Sequence, residues 1–305
     1  MVVRTVTSLL LSAAVVYTGM AQSPQQNAGL QDPPGLKELM PRRVVYSIRG
    51  MDQIKPRANL TYKRVAGTDL KMDVYGPAPG TAGPSRRPAV VLIHGGPVPP
   101  NLLTKPKDWG VFTSYGQLLA ASGLVAVTFN HRLYGFDALS DGQSDVADLI
   151  AFIRDNAETF GIDKDRICLW AFSGGGPFLS QAMRDTPAYV RCIVSYYAFL
   201  DLKPLRKTIP AGISDEMLTE FSPLHFMSIN GAKIAPIFIA RAGLDNPGLN
   251  GTVDQFVQEA LARNAAIDVS NHPKGHHGFD ILDNDERSRE IIGRTIAFIK
   301  SHCEL

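Results

Sequence analysis

One serine stands between a buried apolar run and a stretch compatible with a helix. The sequence Ala171-Phe172-Ser173-Gly174-Gly175 ends that run. Small residues on both sides of a serine permit a sharp, strained turn that lifts the hydroxyl out of a sheet and presents it as a nucleophile. A glycine-rich phosphate-binding turn is the alternative, but no Lys-Ser or Lys-Thr pair follows the glycines. We therefore interpret Ser173 as a candidate nucleophile.

A serine hydroxyl is a weak nucleophile at neutral pH, and it needs a base that is itself oriented by an acid. Both occur downstream. Asp245 follows an apolar run within Ala242-Gly243-Leu244-Asp245, and His277 lies in a loop beyond the last strand candidate. The order serine, acid, histidine is the one described for strand-to-helix nucleophile elbows. We predict a catalytic triad of Ser173, His277 and Asp245.

Each partner of the serine has a rival. Asp201 follows the preceding strand candidate and could supply the acid, and His276 adjoins His277. Asp245 is favoured by its spacing from the end of the predicted strand before it. His272, His276 and His277 could also form a metal cluster, but no patterned cysteine or carboxylate accompanies them. We therefore predict neither a metal ion nor a cofactor.

Hydrolysis by a serine also needs hydrogen-bond donors for the oxyanion that forms on the substrate. The sequence His94-Gly95-Gly96-Pro97 follows the first strand of the predicted parallel sheet. Backbone N–H groups of such a loop, together with the N–H of the residue after the nucleophile, can bind the oxyanion. We predict that Gly95 or Gly96 acts with Gly174, and that His94 braces the loop.

The elements that must position these residues follow from the hydrophobic pattern. A hairpin is predicted from Leu60, with its turn at 66–69. Its second strand alternates apolar residues with Lys71 and Asp73, so both strands are predicted to be half exposed to water. Short, continuous apolar runs then alternate with helical patterns, which indicates a mostly parallel sheet with helices on both faces and functional residues at the carboxyl ends of the strands. The six strand candidates are Ala89–Ile93, Leu124–Phe129, Ile167–Phe172, Cys192–Tyr197, Ile234–Ala240 and Ala265–Val269.

Outside this pattern the chain has three distinctive segments. Residues 1–21 contain Arg4 and then an apolar stretch with small residues before Gln22, which is typical of a cleavable signal peptide. Residues 22–58 are rich in proline and predict an extended arm, so that the hydrolytic domain spans 59–305. Residues 198–233 are too long for a simple connection and predict a small cap or lid over the site.

Composition excludes several classes of partner and fold. Lys and Arg total 31 against 29 Asp and Glu, so the chain has no basic excess typical of nucleic-acid binding. Three widely spaced cysteines do not make a disulfide scaffold, although Cys168 and Cys192 could lie on neighbouring strands as thiols or as a bridge. After removal of residues 1–21, no segment is long and apolar enough to span a membrane. We expect a secreted or periplasmic protein.

Over residues 59–303 the chain resembles the α/β-hydrolase superfamily, and within it the dienelactone-hydrolase-like and acetyl-esterase-like carboxylesterases. The motifs that carry the resemblance are His94-Gly95-Gly96, Asn130-His131-Arg132-Leu133, Phe160-Gly161-Ile162-Asp163, Ala171-Phe172-Ser173-Gly174-Gly175, Gly243-Leu244-Asp245 and His277-Gly278-Phe279. Such families commonly have Tyr-Arg-Leu where this chain has His131-Arg132-Leu133. Lipases have His-Gly-Gly-Gly where it has His94-Gly95-Gly96-Pro97, a form also found in relatives of prolyl peptidases.

The resemblance implies cleavage of carboxylic esters, with a preference for short acyl groups, through an acyl-enzyme. The expected substrate is an ester of a small molecule or one linked to a carbohydrate. Two alternatives stay open: a serine peptidase or aminopeptidase of the prolyl-peptidase type, suggested by His94-Gly95-Gly96-Pro97, and a hydrolase-fold binding module without activity.

Overall fold

The computed structural model describes residues 34–77 and 85–304, and the predicted signal peptide at 1–21 lies outside them. Eight strands form one sheet in the order β1-β2-β4-β3-β5-β6-β7-β8. The strands are β1 (Arg57–Val65), β2 (Thr68–Tyr75), β3 (Arg87–Ile93), β4 (Val125–Phe129), β5 (Ile162–Phe172), β6 (Val190–Tyr196), β7 (Ile237–Ala242) and β8 (Ile267–His272).

Helices connect the strands and cover both faces of the sheet. They are α1 (Pro34–Leu39), α2 (Gly110–Ala121), α3 (Leu139–Asp155), α4 (Ala157–Phe160), α5 (Leu179–Asp185), α6 (Asp215–Glu220), α7 (Pro223–Asn230), α8 (Pro247–Ala262), α9 (Phe279–Leu282) and α10 (Glu286–His302). Within the described part of the chain, no helix is long and apolar enough to cross a membrane.

Strands β3 to β8 pair in parallel, as the continuous apolar runs predict. In β3, Ala89, Val91 and Ile93 face one hydrophobic core. Val90 and Leu92 face the other. Because both faces are covered by helices, every residue of this strand is buried. The fold prediction is confirmed: a mostly parallel sheet flanked by helices, with an antiparallel hairpin at its beginning.

The hairpin β1–β2 differs from its prediction on one strand. Strand β1 is half exposed, as the alternating pattern indicates. The second half of β2 is buried, because residues 72–75 pair with β4 and extend the sheet. Asp73, predicted to face water, is 3% exposed and forms an ion pair with the buried Lys107 at 3.0 Å. Sheet extension thus converts a surface position into a paired interior charge.

The described part of the predicted extended arm packs against the domain and includes α1. The N–H of Val44 donates to Ser114 Oγ in α2 at 2.9 Å, and the side chains of Val44, Met51 and Ile54 are buried in the second core. The N–H of Val45 donates to the carbonyl of Asp280 at 2.8 Å. The arm is therefore not an independent extended segment over these residues, since its apolar side chains complete the core beside α2.

Residues 198–233 contain α6 and α7, and α7 packs against α5 and α8. Apolar side chains of this segment join the first core. Its movement as a lid stays a prediction.

The cysteines Cys168 and Cys192 occupy paired positions on β5 and β6. Both are buried free thiols, as is Cys303.

Candidate active site

The turn after β5 presents Ser173 in a strained conformation. The strand ends at Phe172, and Ser173 has a φ of +52° at the start of a 3-10 helix that continues into α5. A positive φ is unfavourable for a residue with a side chain, and such strain concentrates at functional sites. The carbonyl of Ser173 accepts a hydrogen bond from the N–H of Phe199 at 3.1 Å. The backbone thus turns sharply at Ser173, between the end of β5 and the beginning of a helix.

His277 bridges Ser173 and Asp245, although it stands 104 positions from the first and 32 from the second along the chain. Its Nε2 lies 2.9 Å from Ser173 Oγ, and its Nδ1 lies 2.6 Å from Asp245 Oδ2. A hydrogen on Nδ1 would donate to the carboxylate and leave Nε2 free to accept the serine proton. The side chain of Asp245 is fully buried. The second carboxylate oxygen accepts the N–H of Asn246 at 2.7 Å.

The rival acid and the rival base lie in other environments. Asp201 Oδ1 accepts the N–H of Lys203 at 3.1 Å, and Asp201 lines a cavity of about 440 Å³ beside α7 and α8. His276 Nδ1 lies 2.9 Å from Asp283. His272 Nε2 lies 3.2 Å from Asp285. The three histidines thus bond three different carboxylates, and the described residues contain no cluster suited to a metal ion.

The loop Gly95-Gly96 lies directly against the nucleophile turn. A Cβ placed on Gly174 would stand 2.1 Å from the carbonyl oxygen of Gly96, and one placed on Gly95 would stand 2.9 Å from the Cβ of Ser173. Only glycine permits so close an approach of two backbones. In the part of the chain that the structure describes, no hydrogen bond occupies the N–H groups of Gly96 and Gly174. These donors are available beside the serine.

His94 braces this loop in its neutral form. Burial lowers the pKa of His94 to about 4. Nδ1 lies 2.6 Å from the carbonyl oxygen of Gly95, and Nε2 accepts the N–H of His131 at 3.4 Å. A neutral imidazole with its hydrogen on Nδ1 satisfies both bonds.

The loop after β4 supports the glycines from the other side. The side chain of Leu133 contacts Gly96. The preceding residue, Arg132, forms two side-chain hydrogen bonds with the fully buried Asp145, each of 2.9 Å. The backbone N–H of Arg132 donates to the same carboxylate at 2.9 Å. A bidentate pair of this kind fixes the orientation of both groups.

Comparison with known proteins agrees with this architecture. Residues 72–185, which include the end of β2, the whole of β5 and Ser173, match the family model described as BD-FAE. Human carboxylesterase 3 is 36% identical over 122 residues, which are 36% of this chain and 20% of that protein. The chain thus corresponds to about a fifth of this curated relative.

Solved structures resemble nearly the whole described chain. The native form of esterase 2 from the planctomycete Thermogutta terrifontis superposes with a TM-score of 0.64 at 18% sequence identity. The superposition includes 83% of this chain and 93% of the esterase chain. The chain has the α/β-hydrolase fold. The butyrate-bound form of the same esterase has a TM-score of 0.62 at 18% identity, over 82% of this chain and 95% of its own.

The site also contains two neighbours that the sequence pattern did not predict. The ring of Tyr197, which follows β6, lies 4.7 Å from the ring of His277. The hydroxyl of Tyr197 donates to the buried carboxyl of Asp280 at 2.7 Å. Asp280 follows His277 by three positions, and this short spacing is the feature of the sequence that could have indicated a place near the histidine. Nothing in the local pattern around Tyr197 predicts its contact with His277.

Proposed function

We propose that this chain, which has the α/β-hydrolase fold, is an exported serine esterase that cleaves esters of short carboxylic acids by way of an acyl-enzyme. The observation that carries the proposal is the position of His277, whose two ring nitrogens contact Ser173 and Asp245. Acyl transfer by a serine requires a base that contacts the serine and a carboxylate that contacts and orients the base.

In the proposed reaction, Ser173 Oγ attacks the ester carbonyl while His277 Nε2 takes the hydroxyl proton. The N–H groups of Gly174 and of Gly95 or Gly96 stabilise the oxyanion by donating hydrogen bonds to it. These donors already point to its position before the reaction begins. The protonated His277 then donates its proton to the leaving alcohol, and the acyl group stays on Ser173. A water molecule, deprotonated by the same histidine, releases the acid and regenerates the serine.

Two observations support ester substrates with short acyl groups. The structurally similar Thermogutta esterase 2 has been solved with butyrate and with propionate bound. It has also been solved phosphorylated by paraoxon. We therefore propose that Ser173 is the residue at which an organophosphate would react. We propose that the substrate is an ester of a small molecule or of a carbohydrate. We also propose that residues 1–21 are a signal peptide that directs export of the protein.

The proposal is tested with 4-nitrophenyl acetate, butyrate and octanoate, comparing the wild-type chain with Ser173→Ala. We expect turnover to decrease with acyl length and to fall by at least about 10³-fold in the variant, because the nucleophile is lost. Paraoxon should add one phosphoryl group to the wild type, at Ser173, and none to Ser173→Ala. Equal turnover by both proteins would refute the assignment of the serine.

A proline-containing amide separates the esterase from the peptidase. Faster Ser173-dependent cleavage of this amide than of all three esters would favour the peptidase, and no Ser173-dependent cleavage of any of them would favour a binding module. Export is checked separately, by the amino-terminal sequence of the protein recovered outside the cytoplasm. We expect it to begin at Gln22.

A further inference from the structure

A second buried carboxyl, that of Asp280, lies behind the catalytic histidine and has no part in the triad. Asp280 is fully buried. Its Oδ1 accepts the hydroxyl of Tyr197 at 2.7 Å, and its Oδ2 accepts the hydroxyl of Tyr115 at 2.9 Å. Burial raises the pKa of both tyrosines well above their usual value, so both hydroxyls keep their protons and donate them.

The two hydroxyl donors indicate the charge of Asp280. An ionised carboxylate only accepts hydrogen bonds, which suits a donor on each oxygen, whereas a protonated carboxyl would place its own hydrogen on one of the two occupied oxygens. Burial raises the pKa of Asp280, and hydrogen bonds from Tyr197 and Tyr115 act against that rise. Moving a charged group from water into a protein interior costs free energy unless hydrogen-bond donors such as these compensate it.

Tyr197 connects this carboxylate to His277. The two rings lie 4.7 Å apart at an angle of 56°. Tyr197 has a φ of +38°, and its N–H donates to the carbonyl of Ala240 on β7 at 2.9 Å. The buried Phe279 packs against Tyr197 with a centroid distance of 5.7 Å. Three contacts therefore hold Tyr197 in place: the hydrogen bond of its backbone N–H, the packing of Phe279 against its ring and the hydrogen bond of its hydroxyl.

The groups around His277 come from several elements. Ser173 follows β5, Asp245 follows β7, and Tyr197 follows β6, while Asp280 stands in α9 just beyond the histidine. The neighbouring His276 is bonded to Asp283. Among these groups Asp245 and Asp280 are buried carboxylates, and Asp245 bonds the imidazole directly at 2.6 Å.

We propose that Asp280 is a positioning residue for His277. It holds the ring of Tyr197 against one face of the imidazole, and its negative charge favours the imidazolium that forms when Ser173 loses its proton. The inference rests on the proposed function, in which His277 is the general base. Two buried carboxylates then act on one histidine, Asp245 along the ring plane and Asp280 from behind the tyrosine.

The substitution Asp280→Asn removes the charge and keeps the shape. A buried negative charge close to an imidazole stabilises the charged form of the ring, and its removal destabilises that form. We expect kcat to fall about tenfold, with a small change in KM. The acid limb of the pH profile of kcat/KM should move to lower pH by about one unit, because His277 loses its proton more easily.

Two phenylalanine substitutions separate position from charge. Tyr197→Phe and Tyr115→Phe each remove one hydroxyl donor from the same carboxylate, but the Tyr115 ring packs against Trp170 and Phe172. We expect kcat to fall several-fold in Tyr197→Phe and to stay within about twofold in Tyr115→Phe. Equal losses in the two variants would contradict the role of Tyr197 and leave Asp280 a residue of general stability. Should Asp280→Asn fail to fold, this pair decides the question.

A readout independent of turnover distinguishes failure of this inference from failure of the proposed function. The His277 ring is titrated by NMR in the Ser173→Ala background, with and without Asp280→Asn. A downward shift of the titration supports the inference even if no ester is cleaved. An unchanged titration together with an unchanged acid limb overturns it, whatever the loss of activity.

Discussion

The imidazole rings of His94 and His131 stack face to face beneath the glycine loop, with centroids 3.5 Å apart and planes within 7°. Both side chains are almost completely buried. His131 Nε2 lies 3.1 Å from the carbonyl oxygen of His94, so each histidine bonds the backbone of the other. Two charged imidazoles could not occupy this stack, because their repulsion would add to the cost of burial.

This stack makes stability depend on pH. Burial lowers the pKa of His94 from 6.5 to about 4 in the folded protein, and it lowers that of His131 as well. Because the unfolded chain takes up protons first, the stabilisation is complete above pH 6.5 and is lost as the pH falls toward 4. For His94 the loss is about 3 kcal/mol.

The measurement is urea unfolding between pH 4 and 7.5 for the wild type, His94→Asn and His225→Asn. We expect the decline below pH 6.5 to be smaller in His94→Asn, whereas His225→Asn, which changes a histidine outside the stack, should follow the wild type. Parallel curves for all three proteins would contradict the prediction.

The two candidate acids give opposite expectations. Asp245→Asn removes the carboxylate that orients His277, and kcat for a 4-nitrophenyl ester should fall by about 10⁴-fold. Asp201→Asn should stay within about twofold of the wild type, because Asp201 bonds the backbone of Lys203 instead. Steady-state kinetics on both variants decides between them, and a greater loss in Asp201→Asn would show that the acid is misassigned.

Contact between Gly174 and Gly96 should make the nucleophile turn intolerant of any side chain. In Gly174→Ala the new Cβ would stand 2.1 Å from the carbonyl oxygen of Gly96, and backbone must move to relieve the overlap. Because this displaces the oxyanion donors, we expect kcat to fall by about 100-fold or more.

Gly251→Ala is the matched control, since its new Cβ, within α8, meets no atom within 4 Å. This variant should keep full activity and gain about 1 kcal/mol in the free energy of unfolding. A fully active Gly174→Ala would be incompatible with the described packing.

The buried carboxylate Asp145 should contribute far more to stability than the exposed Asp148, although Lys63 contacts both. Lys63 Nζ lies 2.8 Å from Asp145 and 2.6 Å from Asp148. Asp145→Asn removes the buried bidentate partner of Arg132, which then keeps only the exposed Asp141 at 3.1 Å, and should cost about 3 kcal/mol. Asp148→Asn should cost less than about 1 kcal/mol, because that side chain is 51% exposed.

Denaturant unfolding measures both variants. Activity should also fall in Asp145→Asn, because Arg132 precedes the leucine that contacts Gly96. Similar costs for the two substitutions would argue that the Asp145 cluster does not stabilise the fold as described.

Part of the candidate site was accessible to sequence reasoning because it depends on local pattern. Ser173 follows an apolar strand and precedes glycines, and the order of Ser173, Asp245 and His277 along the chain matches their positions after β5, β7 and β8. Asp73 shows where this approach fails: its alternating neighbours predict exposure to water. Pairing of β2 with β4 buries it instead, and that pairing joins segments far apart in the chain.

The sequence by itself determined the alternation of strands and helices, the strained serine turn and the candidate acid and base, since periodicity and residue size act over a few neighbouring positions. Only the tertiary structure decided that His277 contacts Asp245 while His276 contacts Asp283, because adjacent residues differ in direction and not in pattern. It also brought Tyr197, Tyr115 and Asp280 together from three elements. Such contacts arise from packing between distant segments, which no local pattern encodes.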